Sequence, residues 1–233
     1  MMKKFLSIAA VTFLTGCANQ APLPLLSPAL SIKDDTLIYD GMITGDGVLE
    51  ALRMIRNNHI EITKLQVTSP GGMIESGIEF GYFIKEKNLD LIITKLCFSA
   101  CANYLLPAAH SVKIEKDTLL GWHGGARQSD HLWKQSVPEA QWKGYYPYLE
   151  RLREKEFQFF QYIDVAPNIV TYGQTKLNTC QKAKQTMGWY YTLDDMKAMR
   201  LPPIEIEGGV LLESLMYQDD KITSCQMPAI FTK

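Results

Sequence analysis

Ile62-Thr63-Lys64-Leu65-Gln66-Val67-Thr68-Ser69-Pro70-Gly71-Gly72 is an apolar run that closes on two glycines. From Met73 to Glu86 the apolar residues Ile74, Ile78, Phe83 and Ile84 then fall near helical spacing. The stretch reads as a strand turning sharply into a helix. Glycines at such a junction let the backbone approach a ligand closely, and the helix start leaves N–H groups unpaired. The pattern recurs on both sides. Thr36 to Ile43 reads as a strand followed by an amphipathic helix from Val48 to Asn57. Asp90 to Lys95 reads as a strand, Cys97-Phe98-Ser99-Ala100-Cys101 as the next junction, and Ala100 to Ala109 as an apolar helix. Short strands at Val112 to Ile114 and Leu119 to Trp122 lead into Gly121-Trp122-His123-Gly124-Gly125. Repeated strand–helix alternation implies parallel βαβ units and an α/β fold.

The remainder of the chain differs in kind. Pro138 to Ile163 carries Trp142, Tyr145, Leu149, Leu152, Phe159, Phe160 and Ile163 as a helical stripe beside a charged face, which predicts one long helix used as core or as an oligomer contact. Trp189 to Thr192 reads as a strand end, Leu193 to Met199 as a short helix, and Ile204 to Ile206 as a closing strand after Pro202-Pro203. Residues 207–233 read as an appended tail, pinned if Cys225 is in a disulfide.

With 233 residues, 46% of them hydrophobic, the chain can bury one substantial core. A formal net charge of -1 leaves no basic footprint for nucleic acid. The first residues read as a targeting segment. Met1-Met2-Lys3-Lys4 is a basic start, Phe5 to Leu14 a short apolar stretch, and Leu14-Thr15-Gly16-Cys17 matches the bacterial lipoprotein box, in which the cysteine is lipidated. On that reading residues 1–16 are a signal peptide and Cys17 is the lipidation site. Residues 17–35, with Pro22, Pro24 and Pro28, then form a semi-extended tether. Ala18 in place of an aspartate favours the periplasmic side of the outer membrane. Cys97, Cys101, Cys180 and Cys225 remain; an even count in an oxidising compartment implies two disulfides, with three pairings open. Cys97 with Cys101 and Cys180 with Cys225 is preferred, since it closes one local loop and pins the tail. No C-x-x-C or H-x-x-x-H spacing calls for a metal, and nothing calls for a cofactor.

Chemistry concentrates at the three junctions. Gly71 and Gly72 can offer N–H groups to an oxyanion, Ala100 offers a second donor at the start of its helix, Ser99 is a nucleophile and His123 a base. Each alone has a plain structural use, as a turn, a helix cap or a packing histidine. Their order, each at the end of a successive strand, is what suggests acyl transfer to water. His59, His110 and His131 have no comparable neighbours and read as surface or loop residues.

The sequence resembles the Clp protease proteolytic subunit and its crotonase-like superfamily, especially the periplasmic Clp-like proteins of bacteria. The resemblance rests on Ser69-Pro70-Gly71-Gly72, on Ser99 opening an apolar helix, and on His123 followed by Gly124-Gly125. It spans residues 36–206, the expected ClpP/crotonase-like domain. Cys97 and Cys101 flanking the serine match the periplasmic branch. The resemblance implies a serine peptidase of limited cleavage, acting on a peptide or protein substrate, with Ser99 as nucleophile, His123 as base, and Gly72 with Ala100 as oxyanion donors. It also implies self-association through the long helix. One departure stands out: Ala166 to Gly188, where the family places its triad aspartate, contains no acidic residue. Asp164 is the nearest candidate for the third member, and Gln174 or Asn178 could orient the imidazole without charge. The competing expectation is a catalytically inactive Clp-like lipoprotein that binds a peptide or partner in the same groove.

Overall fold

The chain builds its sheet from the strand–helix units in order, and each turn between them shows why. The computed structural model describes residues 27–174 and 179–231. The signal peptide (residues 1–16), Cys17, the first part of the tether and Asn178 lie outside the described residues. β1 (Ala29–Lys33) and β2 (Thr36–Asp40) form an antiparallel hairpin, so the end of the expected tether is a sheet strand. α1 (Gly45–Asn57) starts where the Thr44 hydroxyl accepts the Gly47 N–H at 3.1 Å. β3 (Lys64–Ser69), α2 (Ile74–Lys87) and β4 (Asp90–Phe98) follow, β3 running parallel to both β2 and β4. Leu37, Tyr39, Leu65, Val67, Leu91 and Ile93 alternate into the core, all at most 1% exposed.

A break in register then places the site. Val67 pairs with Ile93 but Ser69 pairs with Cys97, so two steps along β3 match four along β4, and Lys95 takes φ +61° at the bulge. The bulge divides β4 between two partners. Its first half, Leu91 to Ile93, pairs with β5 (Val112–Ile114), and its second half, Leu96 to Phe98, with β6 (Leu119–Gly121).

The expected apolar helix after Ser99 is not a regular α-helix. Cys101–Leu105 is a π turn, in which the Leu106 N–H reaches back to the Cys101 carbonyl, and only Leu106–Ala108 (α3) is α-helical. Pro107 explains the widening, since it has no N–H and its ring would collide with the preceding turn.

α4 (Asp130–Ser136) precedes the long helix α5 (Glu139–Ile163). Leu149, Leu152, Phe159, Phe160 and Ile163 of α5 are buried as the stripe predicts. Trp142 and Tyr145, in its first turns, are only half-buried, and Tyr145 stacks on Trp133 of α4 at 5.8 Å. After α6 (Thr179–Lys184) come β7 (Gly188–Tyr190), α7 (Leu193–Ala198) and β8 (Ile204–Ile206), the last parallel to β5 at the sheet edge. The main sheet runs β1-β2-β3-β4-β5-β8, with β6 on the second half of β4.

The segment read as an appended tail is built in. β9 (Ser214–Tyr217) and β10 (Asp220–Gln226) form a hairpin, and β10 lies parallel to β7 in a second sheet. Ile222 packs with Leu96, Phe98 and Leu119 in a small separate apolar cluster. The disulfides pair Cys97 with Cys101 and Cys180 with Cys225. Among the described residues no helix is long and apolar enough to cross a membrane.

Candidate active site

Ser99 and His123 arrive together because β4 and β6 are parallel neighbours in register. Phe98 pairs with Gly121, and the Ser99 N–H continues the ladder to the Gly121 carbonyl at 2.8 Å. Ser99 itself leaves the strand at φ +53°, a left-handed turn that a non-glycine residue adopts only at a cost of about 1–3 kcal/mol. Two contacts hold it there. The Asn103 N–H donates to the Ser99 carbonyl at 2.8 Å, and the Cys97–Cys101 disulfide closes the turn from both sides. His123 follows Trp122, whose N–H and carbonyl both bond to Trp189 of β7, at 2.7 and 3.0 Å.

Gly71 and Gly72 meet this turn from the end of β3. A Cβ on Gly71 would lie 2.7 Å from Ser99 Cβ and 2.7 Å from the Phe98 carbonyl oxygen, and its φ is +98°. Only glycine permits that approach. Its N–H, however, donates to Ser69 Oγ at 3.1 Å. Gly71 is thus a spacer against Ser99, and its N–H is already engaged. The Gly72 and Ala100 N–H groups have no hydrogen-bond acceptor among the described residues.

Ser99 and His123 line one cleft of about 460 Å³ together with Met42, Pro70 and Phe98 and with Tyr217, Lys221 and Ile222 of the C-terminal hairpin. The hairpin's part was not legible in the sequence. A neighbouring cavity of about 300 Å³, lined by Gln174, Lys182 and Trp189, shares His123 and Met187 with it. The imidazole packs on the Phe98 ring with centroids 5.4 Å apart. It keeps one side open to solvent, yet desolvation by the surrounding protein lowers its pKa below the ordinary 6.5.

Among the described residues no hydrogen bond joins Ser99 Oγ to the imidazole, and no carboxylate touches the ring. Asp164 does not serve as a third member. It caps α5 in a left-handed turn, is 80% exposed, and pairs with Arg200 at 3.2 Å. Gln174 comes nearer: its Nε2 donates to the His123 carbonyl at 3.5 Å and to Gln128 Oε1 at 2.9 Å, which steadies the backbone and leaves the ring alone.

Two residues that sequence reasoning missed bind the His123 loop. Asn103 Nδ2 donates to the Gly124 carbonyl at 2.6 Å, linking the turn after Ser99 to the turn after His123. Glu156, fully buried on α5, accepts from the loop's backbone. A signal for Glu156 was present: it falls between Leu152 and Phe159–Phe160 on the apolar stripe, where a carboxylate needs donors.

No family model and no curated protein sequence matches the chain. Among solved structures it is similar to an enoyl-CoA hydratase from Mycobacterium avium subsp. paratuberculosis K-10, at 10% identity and TM-score 0.31, covering 41% of this chain and 50% of that one. It is also similar to a variant of a membrane-bound stomatin-specific protease, at 14% identity and TM-score 0.28, covering 40% and 50%. A ClpP1 variant from Listeria monocytogenes matches at 15% identity and TM-score 0.41, over 75% of this chain and 92% of that one. The chain thus spans about half the length of the first two.

Proposed function

We propose that this chain is a serine hydrolase of the Clp-like kind that cleaves a peptide or protein substrate at Ser99. One observation carries the reading: Ser99, held in a left-handed turn, and His123 leave adjacent in-register strands into a single cleft. In the reaction the Ser99 hydroxyl attacks the scissile carbonyl while His123 takes its proton. The Gly72 and Ala100 N–H groups receive the developing oxyanion, and His123 returns the proton to the leaving amine. Water then repeats the sequence on the acyl-enzyme. An apolar wall of Met42, Pro70, Phe98 and Ile222 suits a peptide with bulky uncharged side chains.

The lipoprotein box at Cys17 supports an anchor on the periplasmic face of the outer membrane, and two disulfides suit that compartment. Incorporation of a fatty-acid label into the full chain but not into Cys17→Ser tests the anchor. The long helix, exposed over its first turns, is the surface through which copies would associate.

The test of the chemistry is mass spectrometry of the protein after incubation with a fluorophosphonate. A single adduct on Ser99, lost in Ser99→Ala and in His123→Ala, is the expected result. A second reading, a peptide-binding protein without turnover, is favoured by the absence of a carboxylate partner for the imidazole among the described residues. No adduct on the folded, disulfide-bonded protein, with peptide binding that survives Ser99→Ala, would establish it.

A further inference from the structure

We infer that Glu156 is a positioning residue that clamps the nucleophile's turn and the base's loop to the long helix. The inference rests on the hydrolase reading of Ser99 and His123. Glu156 lies on α5, 0% exposed, and its carboxylate meets three donors. The Tyr104 hydroxyl donates to Oε1 at 2.6 Å and the Ala126 N–H to Oε1 at 2.8 Å, while the Arg127 N–H donates to Oε2 at 3.1 Å. Tyr104 belongs to the π turn that starts two residues after Ser99. Ala126 and Arg127 belong to the loop that starts at His123. One carboxylate therefore grips both segments that carry the chemistry.

The rest of the loop is shaped to admit it. A Cβ on Gly125 would stand 2.4 Å from Glu156 Oε1, so the second glycine after His123 is the gap through which the carboxylate reaches the backbone. Arg153, one turn earlier on the same helix, takes the opposite polarity: its Nε donates to the Ala126 carbonyl at 3.1 Å and its Nη2 to the Gln128 carbonyl at 2.9 Å. Helix α5 thus holds the loop by its N–H groups through Glu156 and by its C=O groups through Arg153. Among the described residues no cation bonds the buried carboxylate. Burial raises its pKa above the ordinary 4.5, with the Tyr104, Ala126 and Arg127 donors pulling the other way. An apolar side chain would fill the stripe at less cost but would leave two N–H groups and a hydroxyl without acceptors.

Glu156→Gln keeps the shape but presents an amide N–H₂ where one oxygen accepts, so one grip is lost. The measurement is the second-order rate of fluorophosphonate adduct formation on Ser99, taken well below the melting temperature. It is paired with the NMR resonances and titration of the His123 imidazole. Leu152→Ala, one turn before Glu156 on the same stripe and without a hydrogen bond to the loop, is the control for lost stability alone. Tyr104→Phe cuts the link to the nucleophile's turn without altering the carboxylate, and serves if Glu156→Gln fails to fold. The expected result is a 10- to 100-fold slower labelling in Glu156→Gln, a smaller loss in Tyr104→Phe, and a shifted His123 resonance in Glu156→Gln that Leu152→Ala does not reproduce. Labelling within twofold of the parent with an unmoved His123 resonance would overturn the inference. So would losses that track melting temperature in the same way as Leu152→Ala. If the parent protein does not label at all, the hydrolase reading fails on its own. The imidazole resonances still decide whether Glu156 sets the loop.

Discussion

Gly71 shows how tightly the residues around Ser99 constrain one another. Its Cα faces Ser99 Cβ, the Phe98 carbonyl and the Ala100 nitrogen, and its backbone is in a region side chains avoid. Gly71→Ala is expected to destabilise the protein by about 2–4 kcal/mol, from left-handed strain and overpacking together, and to slow Ser99 labelling beyond what the lost stability explains. Chemical denaturation and labelling on one preparation check both parts. His123 supplies a pH prediction. Its folded pKa is lowered by desolvation, so the neutral, proton-accepting form persists to a lower pH than in a free histidine. The acid limb of a labelling-rate profile is expected to fall with a midpoint below 6.5. The linkage runs the same way: the unfolded chain binds this proton first, so His123's contribution to stability is lost as pH drops through 6.5 towards the folded value. Asp164, by contrast, was chosen in the sequence because it was the nearest acid along the chain. In space it faces Arg200, and no linear spacing could have told the two apart.

At the scale of elements, the sheet was legible where partners are consecutive. The glycine junctions and apolar runs of β2 through β6 mark parallel units because neighbours in the chain are neighbours in space. The π turn was not legible, since apolar composition does not distinguish it from an α-helix until Pro107 is weighed. β9 and β10 were not legible either: their alternation is weak, and β10's partner β7 lies more than thirty residues back. The disulfide at Cys180–Cys225 fixes that distant pairing. With a sequence separation of 45, it is expected to contribute about 4 kcal/mol by chain entropy, against about 2 kcal/mol for Cys97–Cys101 with a separation of 4. Denaturation of the Cys180→Ser/Cys225→Ser and Cys97→Ala/Cys101→Ala double variants is expected to rank them in that order. Labelling is expected to rank them in reverse, because the small loop encloses Ser99.

For the whole molecule, the boundary drawn at residue 206 cuts through a shared core. Ile222 at 5% exposure covers Leu96, Phe98 and Leu119, and β10 pairs with β7. A chain ending at residue 206 is expected to expose this cluster, bind a hydrophobic dye and be cleaved rapidly by added protease. A chain starting at residue 27 is expected to keep the stability of the parent. Circular dichroism and limited proteolysis of the two truncations decide this. The cleft takes one wall from Tyr217, Lys221 and Ile222, all within the last seventeen residues. Ser99 is synthesised more than a hundred residues before its companion wall. A nascent chain therefore carries Ser99 unframed until Tyr217 to Ile222 have been made and folded back.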